Sequence, residues 1–181
     1  YKKHYMENLK NSKDLINFSL NSNKKIKFIS CSSSRIFKKR KGIVNEQSSV
    51  CKSDHYSKFR IEINDYLSKI RIKNEKFSFA NVILFNHDSI YRKKDFLFPR
   101  IVKYMKIKDF NKLSEIFNEN ISGDFSHAED ICLALYKIFK LKKLPDKIIL
   151  SSNKLTNIND LILYGLKKLK IKRSFDYKVN I

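Results

Sequence analysis

The stretch Phe77 to Phe85 is apolar except at Ser78 and Asn81. A strand with one face in water alternates apolar and polar side chains. A nearly unbroken apolar run of this length fits instead a strand covered on both faces, as in a parallel sheet with helices above and below. It falls far short of the roughly 20 apolar residues that a membrane-spanning helix needs. The flanking sequence agrees. Tyr56, Phe59, Ile63, Leu67 and Ile70 step by three and four and predict an amphipathic helix. Tyr5, Leu9, Ile16 and Leu20 predict an earlier one, followed by an Asn21-Ser22-Asn23 turn and a strand from Ile26 to Ser30, which Ser32 to Ser34 would end. A polar loop runs from Lys38 to Asp54.

Beyond the apolar run, Phe98 to Ile107 predicts a helix with Pro99 in its first turn, where a missing N–H costs nothing. Leu113 to Phe117 reads as a short strand. Ala128, Ile131, Cys132, Leu135, Ile138 and Phe139 form another helical stripe, Pro145 interrupts, and Ile148 to Leu150 reads as a strand. Asn157 is placed to cap a last helix carrying Ile158, Leu161, Ile162, Leu166 and Leu169. This alternation predicts an α/β fold with a mainly parallel sheet and helices on both faces.

The chain has 181 residues, suited to one domain, and a formal charge of +21 from 39 Lys and Arg against 18 Asp and Glu. Such a charge can hold nucleic acid through phosphate contacts. Here the excess is nearly all lysine, spread from Lys2 to Lys178, with Arg confined to positions 35, 40, 60, 71, 92, 100 and 173. Runs such as Lys38-Lys39-Arg40-Lys41 and Lys167-Lys168 therefore read as solvated surface, and a nucleic-acid partner is not expected. Cys31, Cys51 and Cys132 are too scattered for a disulfide framework, and with His4, His55, His87 and His127 they form no metal-binding spacing. No apolar leader follows the N-terminus, and no metal, no membrane partner and a cytoplasmic location are expected. Because Tyr1 leads straight into helical sequence and Ser174 to Ile181 completes no element, a piece of a longer chain is expected.

Ligands of open α/β sheets bind beyond the carboxyl ends of the strands. Two such segments stand out, Cys31-Ser32-Ser33-Ser34-Arg35 and Asn86-His87-Asp88-Ser89. Between them Tyr56 and Arg60 lie four apart on one helix face, a spacing at which a cation favours the phenolate. Each feature also has an ordinary structural reading, as a turn or as core.

Together these features resemble the extended short-chain dehydrogenase/reductase family, which combines a Ser or Thr after one strand with Tyr-x-x-x-Lys on the next helix. Ile83-Leu84-Phe85-Asn86-His87-Asp88-Ser89 is similar to the Ile-Leu-Phe-Asn-His-Glu-Ser segment of GDP-mannose 4,6-dehydratases, and Gly123-Asp124-Phe125-Ser126-His127-Ala128 with Asp130 to that family's Arg-Asp-Trp-Gly-His-Ala and following Asp. Asn45-Glu46 fits an acidic loop position. The resemblance implies an incomplete Rossmann-like fold: residues 1–88 as the C-terminal part of an NAD(P)-binding domain, and 89–181 as a substrate-binding region partly interleaved with the sheet. It implies NADP or NAD as cofactor, and a nucleotide-diphospho-sugar, GDP-mannose, as partner. A homo-oligomer is possible.

The implied reaction is a lyase reaction, GDP-mannose to GDP-4-keto-6-deoxymannose through transient NADP reduction. The resemblance makes Ser33 the hydroxyl that polarises the substrate oxygen, Tyr56 the acid/base, and Arg60 the stand-in for the lysine. Tyr56 and Arg60, with His87 and Arg92, become cofactor contacts, and Asn86 a substrate contact. Against this, the family's elimination base aligns with Arg35, which cannot accept a proton, and Gly123 replaces an arginine that meets the diphosphate. Ile90 and Lys93 replace the flanking Pro and Gly, and Lys38 a glycine. The chain has only Gly42, Gly123 and Gly165, so no GxxGxxG loop exists in it to bind a pyrophosphate. An epimerase or reductase of the same family, or an impaired pseudoenzyme binding a nucleotide-sugar or a protein, are the alternatives.

Overall fold

A computed structural model describes residues 2–22, 26–38, 42–74, 77–172 and 175. The chain divides into two compact units, one formed by residues 1–85 and 131–150 and the other by 86–130 and 151–181. In the first, α1 (Lys2–Asn21) precedes β1 (Lys27–Ser33), and a short 3-10 turn (Ser34–Ile36) leads through a loop to α2 (His55–Lys73) and β2 (Ser78–Leu84). β1 and β2 pair in parallel from Lys27 opposite Ser78 to Ser33 opposite Leu84.

β2 is buried on both sides, as the apolar run requires. Phe79 joins Tyr5, Leu9 and Ile16 of α1 and Ile63, Leu67 and Ile70 of α2 in one cluster. Ala80 and Val82 pack with Ile138 and Leu144 in another. The helix running from Ala128 to Lys140 and the strand Lys147–Leu150, which pairs in parallel with β2, complete this sheet in the order β1, β2, final strand. α2 starts at a reciprocal cap: the Asp54 carboxylate accepts the Ser57 N–H at 2.7 Å, and the Ser57 hydroxyl accepts the Asp54 N–H at 3.0 Å.

The second unit opens with β3 (Asn86–Asp88), followed by α3 (Leu97–Lys106), α4 (Phe110–Asn118) and β4 (Ser122–His127). The helix Ala128–Lys140 is α5 and the strand Lys147–Leu150 is β5. β6 (Leu155–Asn157) and α6 (Ile158–Lys168) follow. β4 pairs in parallel with β3 and antiparallel with β6. Ile101, Met105, Leu113, Phe117, Ile158 and Ile162 form this unit's core. Asn157 caps α6 as expected, its side chain accepting the Asn159 N–H at 2.7 Å.

The expected strand from Leu113 to Phe117 is a helix, α4. Leu113, Ile116 and Phe117 lie three and four apart on its buried face, and Asp109 caps it by accepting the Lys112 N–H at 3.2 Å. Five residues are too few for periodicity to separate the two states. β1 continues to Ser33 and does not stop at Ser32, and three short strands, β3, β4 and β6, carry too little apolar sequence to be read in advance. The expected turn at Asn23, most of the Lys38–Lys41 run and, apart from Phe175, the 174–181 tail lie outside the described residues.

Leu67 is fully buried between α1 and β2. Leu67→Ala is expected to lower the unfolding free energy by about 2–5 kcal/mol. Denaturant titration measures it, and a loss below about 1 kcal/mol would contradict this packing.

Candidate active site

The end of β1 turns sharply because Ser33 caps the 3-10 turn, its hydroxyl accepting the Arg35 N–H at 3.3 Å. Ser32 points into the protein, buried. That turn brings the Arg35 side chain toward the start of α2. Its guanidinium donates to the Asp54 carboxylate and lies 5.6 Å from the centre of the Tyr56 ring. One helical turn on, the Arg60 guanidinium lies 5.0 Å from the same ring. Arg60 also donates to the Cys31 carbonyl at 2.6 Å, tying α2 to β1. Tyr56 stays 40% exposed. An exposed phenol ring thus has two guanidinium groups within 5.6 Å, and Ser33 is joined to one of them through the Arg35 main chain.

Two carboxylates of this unit, Asp54 and Glu46, already have partners. Asp54 is held below the usual carboxylate range, first by the Ser57 N–H and then by Arg35. Glu46 sits across from β5, its carboxylate accepting the Ile149 N–H at 3.0 Å and its carbonyl accepting from Lys147 at 3.1 Å. Burial raises the Cys31 thiol pKa, so Cys31 contributes its carbonyl and not a thiolate.

The other sequence candidates lie in the second unit. Asn86 donates through its amide to the Asp124 carbonyl at 3.1 Å. His87 follows it in β3, and Arg92 stacks its guanidinium 4.0 Å over the Phe96 ring. Gly123 has a local reason to be glycine: a Cβ there would come within 3.0 Å of the Phe125 ring and 3.4 Å of the Asn86 amide. An open cavity of about 980 Å³ is lined by Phe98, Val102 and Phe125 with Lys94, Lys103 and Lys106. Gly42 lies in a loop, Gly123 in β4 and Gly165 in α6, so none opens a helix at a phosphate-binding turn. Among the described residues no group of three or more His, Cys, Asp or Glu could hold a metal, and no helix is long and apolar enough to cross a membrane. Sequence reasoning missed Asp54 as the partner of Arg35; the only signal was its place just before α2, where a capping residue belongs.

The sequence model of GDP-mannose 4,6 dehydratase matches residues 11–179. The chain belongs to that family. No curated protein matches it significantly. Among solved structures this family member is similar to RMD from Pseudomonas aeruginosa complexed with NADPH, at TM-score 0.78 and 14% identity over 94% of this chain and 60% of that one. It is similar to dTDP-glucose 4,6-dehydratase from Bacillus anthracis in complex with NAD, at TM-score 0.77 and 13% identity over 96% and 55%. A UDP-N-acetylglucosamine 4-epimerase from Methanobrevibacter ruminantium gives TM-score 0.75 and 18% identity over 94% and 58%. The chain thus spans a little over half the length of these structures, and it shares their Rossmann-like fold.

The Asp54 carboxyl gives a test. A folded-state pKa below the unfolded value of about 3.9 stabilises the protein fully above that pH, and the stabilisation fades as pH falls through the folded value. Asp54→Asn keeps a capping side chain but removes the charge. It is expected to destabilise at pH 7 and to lose less stability than the parent between about pH 4 and pH 2. Urea midpoints across this range measure it, and superimposable profiles would contradict the assignment.

Proposed function

We propose that this chain carries the acid/base part of an NAD(P)-dependent enzyme acting on a nucleotide-diphospho-sugar, and that its own residues serve oxidoreduction at the sugar C4 hydroxyl. The observation that supports this most is the exposed Tyr56 ring within 5.6 Å of the Arg35 guanidinium and 5.0 Å of that of Arg60, where the Arg35 main chain is bonded to Ser33 at a strand's carboxyl end. The Tyr56 Oη would take the hydroxyl proton, with both guanidinium groups close to its ring. Ser33 would orient the same oxygen, and Arg60, fixed to β1 by the Cys31 carbonyl, would hold the tyrosine in place.

When bound, NAD(P) supplies the hydride acceptor. Tyr56 and Arg60 fit its ribose end; His87 and Arg92 are the contacts proposed from the second unit. The pyrophosphate cradle is not among this chain's three glycines. Residues 1–88 would then serve the cofactor and 89–181 the sugar nucleotide, with Asn86 as a substrate contact. The lysine-rimmed cavity beside α3 offers cations for a diphosphate.

The family reaction on GDP-mannose also needs a carboxylate to remove the C5 proton so that water can leave C6. At the base position stands Arg35, locked to Asp54, and Glu46 is spent on β5. This favours the epimerase or reductase reading over dehydration. In the intact protein supplied with NADP and GDP-mannose, the expected product is a 4-keto sugar that keeps all its oxygens, read by mass. Tyr56→Phe should slow nicotinamide reduction by at least about 100-fold. Loss of water would restore the dehydratase reading, and no reduction by the parent protein would leave a binding protein without turnover.

A further inference from the structure

The fold brings two of the scattered cysteines, Cys31 and Cys132, to facing surfaces of the first unit, both as free thiols. Cys31 lies in β1 opposite Val82 of β2. Side chains two apart on a strand share a face, so Cys31 is on the side of Ile29, which packs with Leu135 against the Ala80 and Val82 cluster. That is the side α5 covers, and Cys132 stands one helical turn before Leu135 on α5. Chain direction agrees. β5 follows α5 and runs parallel to β2, so α5 runs back against the strands and starts near their carboxyl ends, where Cys31 lies. The two side chains also sense each other. Burial raises the Cys31 thiol pKa most, Arg60 lowers it, and a negative charge on Cys132 raises it again.

We propose that Cys31 and Cys132 are an oxidative modification site, which closes to a disulfide when the chain meets a peroxide. Cys132 is exposed and Cys31 partly buried, so the peroxide reaches Cys132 first. The Cys132 thiolate attacks one peroxide oxygen and the O–O bond breaks. The other oxygen leaves with a proton as water, and Cys132 becomes a sulfenic acid. The Cys31 sulfur then attacks the Cys132 sulfur, the S–O bond breaks, a second water leaves and the S–S bond forms. Two thiols and one hydrogen peroxide become one disulfide and two waters, the sulfurs giving up the two electrons that the peroxide takes. Cys51 serves as an internal control. It is exposed too, but its N–H donates to the carbonyl of Ile36, which packs with Ile61 and Ile83 on the α2 side of the sheet, away from α5. Cys31 is also the residue whose carbonyl holds Arg60, so the link would sit one contact away from the guanidinium beside Tyr56.

The test treats the whole, fully reduced and folded chain with hydrogen peroxide, blocks the remaining thiols by alkylation, and maps the peptides by mass spectrometry without reductant. The expected result is one peptide pair joined through Cys31 and Cys132, with an intact mass lower by about 2 Da before alkylation and restored by dithiothreitol. Cys51 is expected outside the link. In Cys31→Ser the link is lost and Cys132 carries on to the sulfinic acid, its peptide gaining about 32 Da. Thermal unfolding checks the fold of that variant, and the map of the parent chain stands without it. Thiols that stay unlinked, a link that takes in Cys51, or equal overoxidation of Cys132 in the parent and in Cys31→Ser overturns the inference.

Discussion

Burial of β2 on both faces is the constraint from which the rest of the first unit follows. A strand with Phe79 and Ile83 on one side and Ala80 and Val82 on the other must have cover above and below. α1 and α2 cover one side and α5 the other, and parallel neighbours on both edges require crossovers long enough to hold helices. α2 is one such crossover, between β1 and β2. Its start therefore falls near the carboxyl end of β1, where Ser33 and Arg35 emerge. Tyr56 owes its place beside Arg35 to that packing problem before any chemistry is considered.

What the sequence made legible follows the same logic. β2 and α2 were readable because each shows a pattern long enough to be unambiguous, a continuous apolar run and a regular stripe. Tyr56 and Arg60 were readable because residues four apart on a helix must be neighbours. The Arg35–Asp54 pair was not, since it joins positions 19 residues apart across a loop with no periodicity. Glu46 looked like a free acid in a loop, and only the register of β5 shows that its carboxylate is occupied by the Ile149 N–H. α4 was misread because five residues of mixed apolar sequence fit a strand as well as one helical turn. β3, β4 and β6 were invisible because residues such as Asn86, His87 and Asp88 pair through their backbones, which side-chain patterns do not report.

Two substitutions relative to the family pattern acquire different physical meanings. Gly123 lies close under the Phe125 ring, and a Cβ there would come within 3.0 Å of it, so a side chain would require that ring to shift. Arg35 is explained by charge: it has become part of a small network with Asp54 and Tyr56. An exposed ion pair of this kind contributes only about 0–1 kcal/mol to stability, so the fold depends little on it.

Asp54 serves two masters, since one carboxylate both closes the first turn of α2 and neutralises Arg35. Converting Arg35 back to an acid would leave two carboxylates facing each other at the helix start, each raising the other's proton affinity, with the cap weakened in the same step. An acid at position 35 is therefore not a change confined to that residue in this chain. The helix cap and the charge at position 35 are coupled, and a sequence that alters one has to accommodate the other.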